Sequence, residues 1–212
     1  MASKISLYEK VLELSSIDRS YWEKGLITCG LDEVGRGPLA GPVVSACVIM
    51  SPEHSLILGM NDSKKLTESR RIALNKAIME NALGIGISYK SEAVIDELNI
   101  LNATRAAFVE AYYKAEKIIR PDIALLDYIT GVELPVEMHS YVGGDSLCYS
   151  IAAASIVAKV ERDAFMTCMD ELYPEYGFKR NKGYGTKEHI EALKRYGPCP
   201  IHRRSFIKGI IG

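Results

Sequence analysis

The run Ile151-Ala-Ala-Ala-Ser-Ile-Val-Ala158 puts small apolar side chains nearly all the way round a helix. A helix without a polar face has to be enclosed by other elements. The pattern predicts that this buried helix spans 146–172. Candidate enclosing layers flank it in sequence. Short apolar runs, several of them rich in β-branched residues, predict strands over 26–31, 43–49, 84–89, 122–127 and 134–142. Helical spacing predicts helices over 5–24, 66–83, 92–98 and 101–119, with Pro121 stopping the last of these. Thr186 is placed to cap a further helix over 187–196. Strands alternating with helices imply an α/β or mixed α+β arrangement with helices on both faces of a five-stranded sheet. No repeat, low-complexity tract or long linker interrupts the 212 residues, so a single domain over 1–212 is expected.

Charge narrows the function classes. Lys and Arg number 26 and Asp and Glu 27, a formal net charge of −1. That balance excludes a globally basic nucleic-acid coat protein and an acidic disordered tail. No apolar stretch is long enough to cross a bilayer, and the opening MASKISLYEKVLELSS lacks the apolar run of a signal peptide. A soluble, cytoplasmic protein is therefore expected. The charge is uneven, however. From 176 to 212 there are nine basic residues and only Glu188 and Glu191 against them, while the rest of the chain is acidic. A basic end beside an acidic body suits a protein that grips phosphates at one edge and holds cations elsewhere. It also suits a plain solvated basic end. Five widely spaced cysteines without a Cys-x-x-Cys pair read as small hydrophobes. Cys199 and His202 resemble half of a zinc site, but no second half follows.

The first chemical constellation is Gly30-Leu-Asp32-Glu33-Val-Gly35-Arg36-Gly37-Pro38-Leu-Ala-Gly41-Pro42. It ends a buried strand with two carboxylates, which are expensive to desolvate without a purpose. Neighbouring strand residues face opposite sides, so Asp32 and Glu33 are expected to share a site only if the strand breaks there into the glycine-rich turn. A dinucleotide-binding fingerprint would need a helix after Gly35-x-Gly37. Pro38, Pro42 and the following Val/Ile strand oppose one, which sets aside a nicotinamide-dependent oxidoreductase. The turn can instead bring bare backbone close to a sugar-phosphate chain.

Two more acids stand at element ends: Asp127 closes a strand, and Asp145 precedes the long helix, where it also reads as that helix's N-cap. Four carboxylates brought together would repel one another unless cations neutralise them. Mg²⁺ fits, since it prefers oxygen ligands. Two such ions could clamp the attacking water and leaving oxygen of a phosphodiester. Asp163 competes for the fourth place but sits four residues from Lys159, the spacing of a helix ion pair. A non-catalytic nucleic-acid-binding module would keep the basic end but have no use for clustered acids.

Five blocks of the chain resemble the type 2 ribonuclease H family, specifically its bacterial ribonuclease HII branch. They are the constellation of 30–42; Asn61-Asp-Ser-Lys-Lys-Leu66; Leu126-Asp127; Gly144-Asp145 through Ile151-Ala-Ala-Ala-Ser-Ile-Val-Ala-Lys-Val-Glu-Arg-Asp163; and Lys182-Gly-Tyr-Gly-Thr186 with His202-Arg-Arg-Ser-Phe206. The resemblance implies a ribonuclease H-like fold with a central mixed five-stranded sheet flanked by helices and a helical C-terminal portion. It implies hydrolysis of the RNA strand of RNA/DNA hybrids and incision 5′ of single ribonucleotides in duplex DNA, leaving 3′-hydroxyl and 5′-phosphate ends. Asp32, Glu33, Asp127 and Asp145 match the family's metal-binding acids, which take Mg²⁺ or Mn²⁺. Gly35, Arg36 and Gly37 match the turn that senses the 2′-hydroxyl, and Tyr184 the tyrosine that recognises the RNA-to-DNA junction. Lys64, Lys65, Lys182, Arg203 and Arg204 are then expected at phosphates, and His139, His189 and His202 at structural hydrogen bonds or phosphate.

The sequence departs from the family pattern in places. Tyr128 stands where a glycine usually follows the acid, and Gly143 where a lysine is common before Asp145. The second change removes a cation from the site and predicts altered metal affinity or rate. No sliding-clamp motif is seen after Phe206, the 25 residues before the first strand are too few for the extra N-terminal domain of ribonuclease HIII, and a monomer is expected.

Overall fold

In a computed structural model, residues 2–50, 53 and 56–211 are described, the first four of these by backbone alone. Five strands form one sheet: β1 Thr28–Val34, β2 Val43–Met50, β3 Ala82–Lys90, β4 Ile123–Asp127 and β5 Glu137–Tyr141. Their spatial order is β3-β2-β1-β4-β5. The first three pair antiparallel, whereas β4 runs parallel to both β1 and β5. This is the mixed sheet expected of a ribonuclease H-like fold.

Nine helices accompany the sheet among the described residues. They are α1 Ala2–Leu14, α2 Ser16–Trp22, α3 Glu68–Asn81, α4 Glu92–Leu98, α5 Ile100–Glu116, α6 Tyr149–Leu172, α7 Phe178–Asn181, α8 Lys187–Tyr196 and α9 Arg204–Ile211. All eight residues of β2 are buried, and its side chains alternate between two cores. Ala46, Val48 and Met50 meet α6 with Leu74 and Ile78 of α3. Cys47 and Ile49 meet Phe108, Ala111 and Tyr112 of α5. The apolar-all-round segment of α6 is enclosed as its composition demands, with residues 149–158 all buried. Gly30 makes its seat. A Cβ there would lie 2.0 Å from the Ser150 carbonyl carbon, so only glycine lets the helix backbone approach the sheet so closely.

Boundaries differ where capping overrides periodicity. The predicted helix 5–24 is two helices that meet at Ser15. The 66–83 helix starts after Thr67, whose hydroxyl accepts from the Arg70 amide, and releases residues 82 and 83 to β3. The helix expected to run to 119 ends at Glu116, before Pro121. The long helix starts at Tyr149 because residues 144–146 form a separate 3-10 turn. Asp145 therefore does not cap it. That role falls to Asp18 of α2, whose carboxylate accepts from the Tyr149 amide at 2.8 Å and the Ser150 amide at 3.2 Å. The C-terminal end holds two helices more than was expected: the short α7 and α9, the latter with its first amides held by Asp96 of α4 at 2.7 and 2.9 Å. Among the described residues, no helix is long and apolar enough to cross a membrane.

Candidate active site

Asp32 and Asp127 come together because of strand register. The β1–β4 pairing runs to Leu31–Leu126, so these acids stand next along two neighbouring parallel strands and face the same side. Glu33 joins them by a route the sequence did not suggest. The strand does not break at Asp32: β1 continues to Val34, with Glu33 opposite Ser45 of β2. β4, however, stops at Asp127, which leaves one edge of β1 open. Over that edge a Glu33 oxygen comes within 4.8 Å of ligand atoms from both aspartates. Among the described residues this is the one set of three acidic, His or Cys side chains so gathered.

Asp145 lies outside that triplet but belongs to the same electrostatic group. It sits in the 3-10 turn after Gly143, whose left-handed backbone leads the chain from β5 back towards the strand ends. The turn is tied down where Asp127 Oδ1 accepts from the Gly144 amide at 2.8 Å. Lys64 Nζ reaches Asp145 Oδ2 at 3.4 Å. Thus a cation from the 61–66 block stands beside this acid, where Gly143 contributes none. Lys65 Nζ is 3.4 Å from Ser146 Oγ and 3.5 Å from Asp62.

Asp32 is held well above the usual carboxylate range by burial first, then by the charges of Glu33 and Asp127. Glu33 is raised by burial, against the pull of Arg36 at 3.4 Å. Asp145 is raised by burial, against Lys64. Partial burial works against the Lys64 ammonium, but the carboxylates of Asp145, Asp32 and Asp62 hold it up. The cluster thus carries more negative charge than its neighbouring cations offset. Its donors are all carboxylate oxygens, the set that hard divalent cations take.

The glycine-rich loop continues from β1. Gly35 is buried, and the carbonyls of Gly35 and Arg36 turn inward to accept from Arg203. Gly37 is exposed, and a Cβ there would lie 3.7 Å from Tyr184 Cε1. Tyr184 itself is 45% exposed, which leaves ring surface for a substrate. The residues expected at phosphates divide. Lys64, Lys65 and Arg204 are exposed. Lys182 is half-buried, with its ammonium 3.4 Å from the Asp163 carbonyl and Thr167 Oγ1.

Arg203 does not fit the phosphate role. It is fully buried, and its guanidinium is consumed by backbone carbonyls. The basic C-terminal count could not separate it from its exposed neighbour Arg204. Arg162 was missed entirely. It is equally buried, and the signal was its position four residues beyond Ala158 on an enclosed helix. Asp163 pairs with Lys159 at 2.6 Å, as the spacing suggested, and also with Arg71 of α3 at 3.6 Å. His189 and His202 share a buried hydrogen bond at 3.0 Å, and His139 bonds Glu137. The cysteines are free, Cys168 alone being exposed.

The sequence profile described as Ribonuclease HII matches residues 29–209. A ribonuclease HII from Acetivibrio thermocellus is 49% identical over 209 residues, covering 96% of this chain and 80% of that one. Among solved structures, the ribonuclease H2 from Pyrococcus horikoshii OT3 superposes with a TM-score of 0.74 at 24% identity, over 88% of this chain and 97% of that one. Bst-RNase HIII in complex with Mn²⁺ superposes at 0.68 and 19% identity, over 88% and 63%. The two structures share its fold.

Proposed function

The chain belongs to the ribonuclease HII family, a family of endoribonucleases, and on that premise we propose that it hydrolyses the RNA strand of RNA/DNA hybrids and incises 5′ of single ribonucleotides in duplex DNA. The products would be 3′-hydroxyl and 5′-phosphate ends. The observation that carries the proposal is the set of three carboxylates, from two adjacent strand ends, with ligand atoms within 4.8 Å of one another. It stands beside a loop whose exposed Gly37 lies next to an exposed tyrosine, close enough that an added Cβ would reach the ring.

The carboxylates fit Mg²⁺ or Mn²⁺. Asp32 and Asp145 are buried with raised proton affinities, a state that a divalent cation would relieve. Asp32, Glu33 and Asp127 would hold the ions, with Asp145 closing the site from the side of Lys64. A pair of such ions supplies an activated water and stabilises the leaving 3′ oxygen. The Asp127–Gly144 hydrogen bond keeps the Asp145 turn against the strand ends. Lys64, Lys65 and Arg204 offer exposed charge to phosphates, which positions a duplex without reading its sequence. Gly37 and Tyr184 face the sugar, whose 2′-hydroxyl is the group that separates RNA from DNA.

Asp32→Asn tests the assignment. It keeps the shape of the site and removes a charged ligand, so duplex binding measured by fluorescence anisotropy persists while cleavage is lost. A fully active Asp32→Asn protein refutes the reading.

A further inference from the structure

Arg162 and Arg203 are the two largest fully buried side chains of the protein. Among the described residues neither has a carboxylate within ion-pair distance. A guanidinium taken out of water has to be compensated, and here backbone carbonyls do so. Arg162 donates through Nε to Pro42 at 2.9 Å, Nη1 to Lys182 at 2.9 Å and Nη2 to Ala40 at 3.1 Å. Arg203 donates through Nε to Gly41 at 2.9 Å, Nη1 to Arg36 at 2.9 Å and Nη2 to Gly35 at 2.5 Å. Five of the six acceptors lie in the glycine-rich loop, and the sixth is two residues before Tyr184. Burial draws the two groups down to about 10 and about 9, so both stay charged at neutral pH.

The two loops share one backbone framework at this point. The Leu39 amide donates to the Gly183 carbonyl at 2.8 Å, and the Arg203 amide to the Leu39 carbonyl at 2.9 Å. A Cβ on Gly183 would lie 2.4 Å from the Ala40 oxygen, so the loops are in contact with no room for a side chain. Tyr184 is fixed from its other side as well, where its carbonyl is 2.8 Å from His189 Nδ1. A single planar fork, that of Arg162, reaches both loops at once. It thus ties the loop that holds Gly37 to the segment that leads into Tyr184. Buried charge of this kind adds little to stability over a well-packed apolar replacement, which leaves positioning as its use.

We infer that Arg162, supported by Arg203, is a positioning residue for substrate choice: it fixes the spacing between Gly37 and Tyr184 and thereby the preference for a lone ribonucleotide in DNA. The inference rests on the proposed reading of that loop and tyrosine. Neither arginine touches substrate. Lysine cannot replace Arg162, because an ammonium has no rigid fork with which to span three carbonyls.

The test measures kcat and KM for wild type, Arg162→Lys and Gly183→Ala on two labelled substrates with Mn²⁺. One is duplex DNA with a single ribonucleotide, and the other a continuous RNA/DNA hybrid. For Arg162→Lys, the ratio of kcat/KM on the first to that on the second is expected to fall at least tenfold. A purely structural role would lower both rates in proportion, and an unchanged ratio overturns the inference. If Arg162→Lys is recovered unfolded, Gly183→Ala decides. It forces the loops apart with both arginines in place, so the ratio falls if their spacing governs choice, and an unchanged ratio again overturns it. A wild-type protein that never cuts the single-ribonucleotide duplex overturns the reading of the loop itself, and the inference with it.

Discussion

The N-terminus of α6, which carries the chain away from Asp145, is capped by a carboxylate 131 residues distant in sequence. Asp18 is fully buried, and burial raises it from 3.8 to about 6 despite the hydrogen bonds it accepts from Ser150 and Tyr149. Between those two values the folded protein keeps this proton while the unfolded chain has lost it. Stability therefore falls as the pH rises from about 4 to about 6. The difference corresponds to about 3 kcal/mol. Asp18→Asn cannot ionise and keeps one acceptor oxygen, at a capping loss of about 1 kcal/mol. Below pH 4 the variant is thus expected to be less stable than wild type by about 1 kcal/mol. At pH 7.5 the order reverses, and the variant is more stable by about 2 kcal/mol. The assay is thermal unfolding in the presence of chelator at a series of pH values. Other carboxyls titrate in both proteins and cancel in the difference. For a chain of this size the relative Tm moves by about 6–12 °C across the range. Parallel Tm curves would refute the argument that the buried cap is forced to ionise.

Three shorter predictions follow from the site and its supports. Gly30→Ala drives a methyl into the Ser150 backbone and is expected to cost at least about 3 kcal/mol, read as lost soluble protein or a collapsed urea midpoint. Lys64→Ala removes an exposed cation beside Asp145, so duplex binding weakens on all sequences and the slope of log affinity against log salt falls by about 1. Tyr184→Ala removes a stacking surface valued at about 1–3 kcal/mol, and single-turnover cleavage at a lone ribonucleotide is expected to slow by about five- to a hundredfold.

How far the sequence could be read depended on how local each signal was. The five strands and the enclosed helix follow from composition and periodicity within one window. Asp127 closes its strand in the sequence as in the fold, whereas Asp32, expected at a strand end, lies two residues inside β1. Glu33 was expected through a break in the strand. It is gathered instead because β4 is two residues too short to cover β1, a matter of register between segments far apart. Asp18 and Asp96 cap helices across more than a hundred residues, and no local pattern marks a carboxylate for that task. Arg203 and Arg204 are adjacent and chemically alike, yet one is enclosed and the other is exposed. Charge counting merges them. Arg162 was legible in principle, as a cation placed on the face of a helix that burial requires to be enclosed.

The most direct test of the account is to map cleavage, with Mg²⁺ or Mn²⁺, of duplex DNA containing one ribonucleotide. The carboxylate cluster and the placing of Gly37 next to Tyr184 predict a single cut on the 5′ side of that ribonucleotide, abolished by chelator. Cleavage that persists in chelator would contradict the metal site, and cleavage confined to continuous hybrids would contradict the reading of Gly37 and Tyr184.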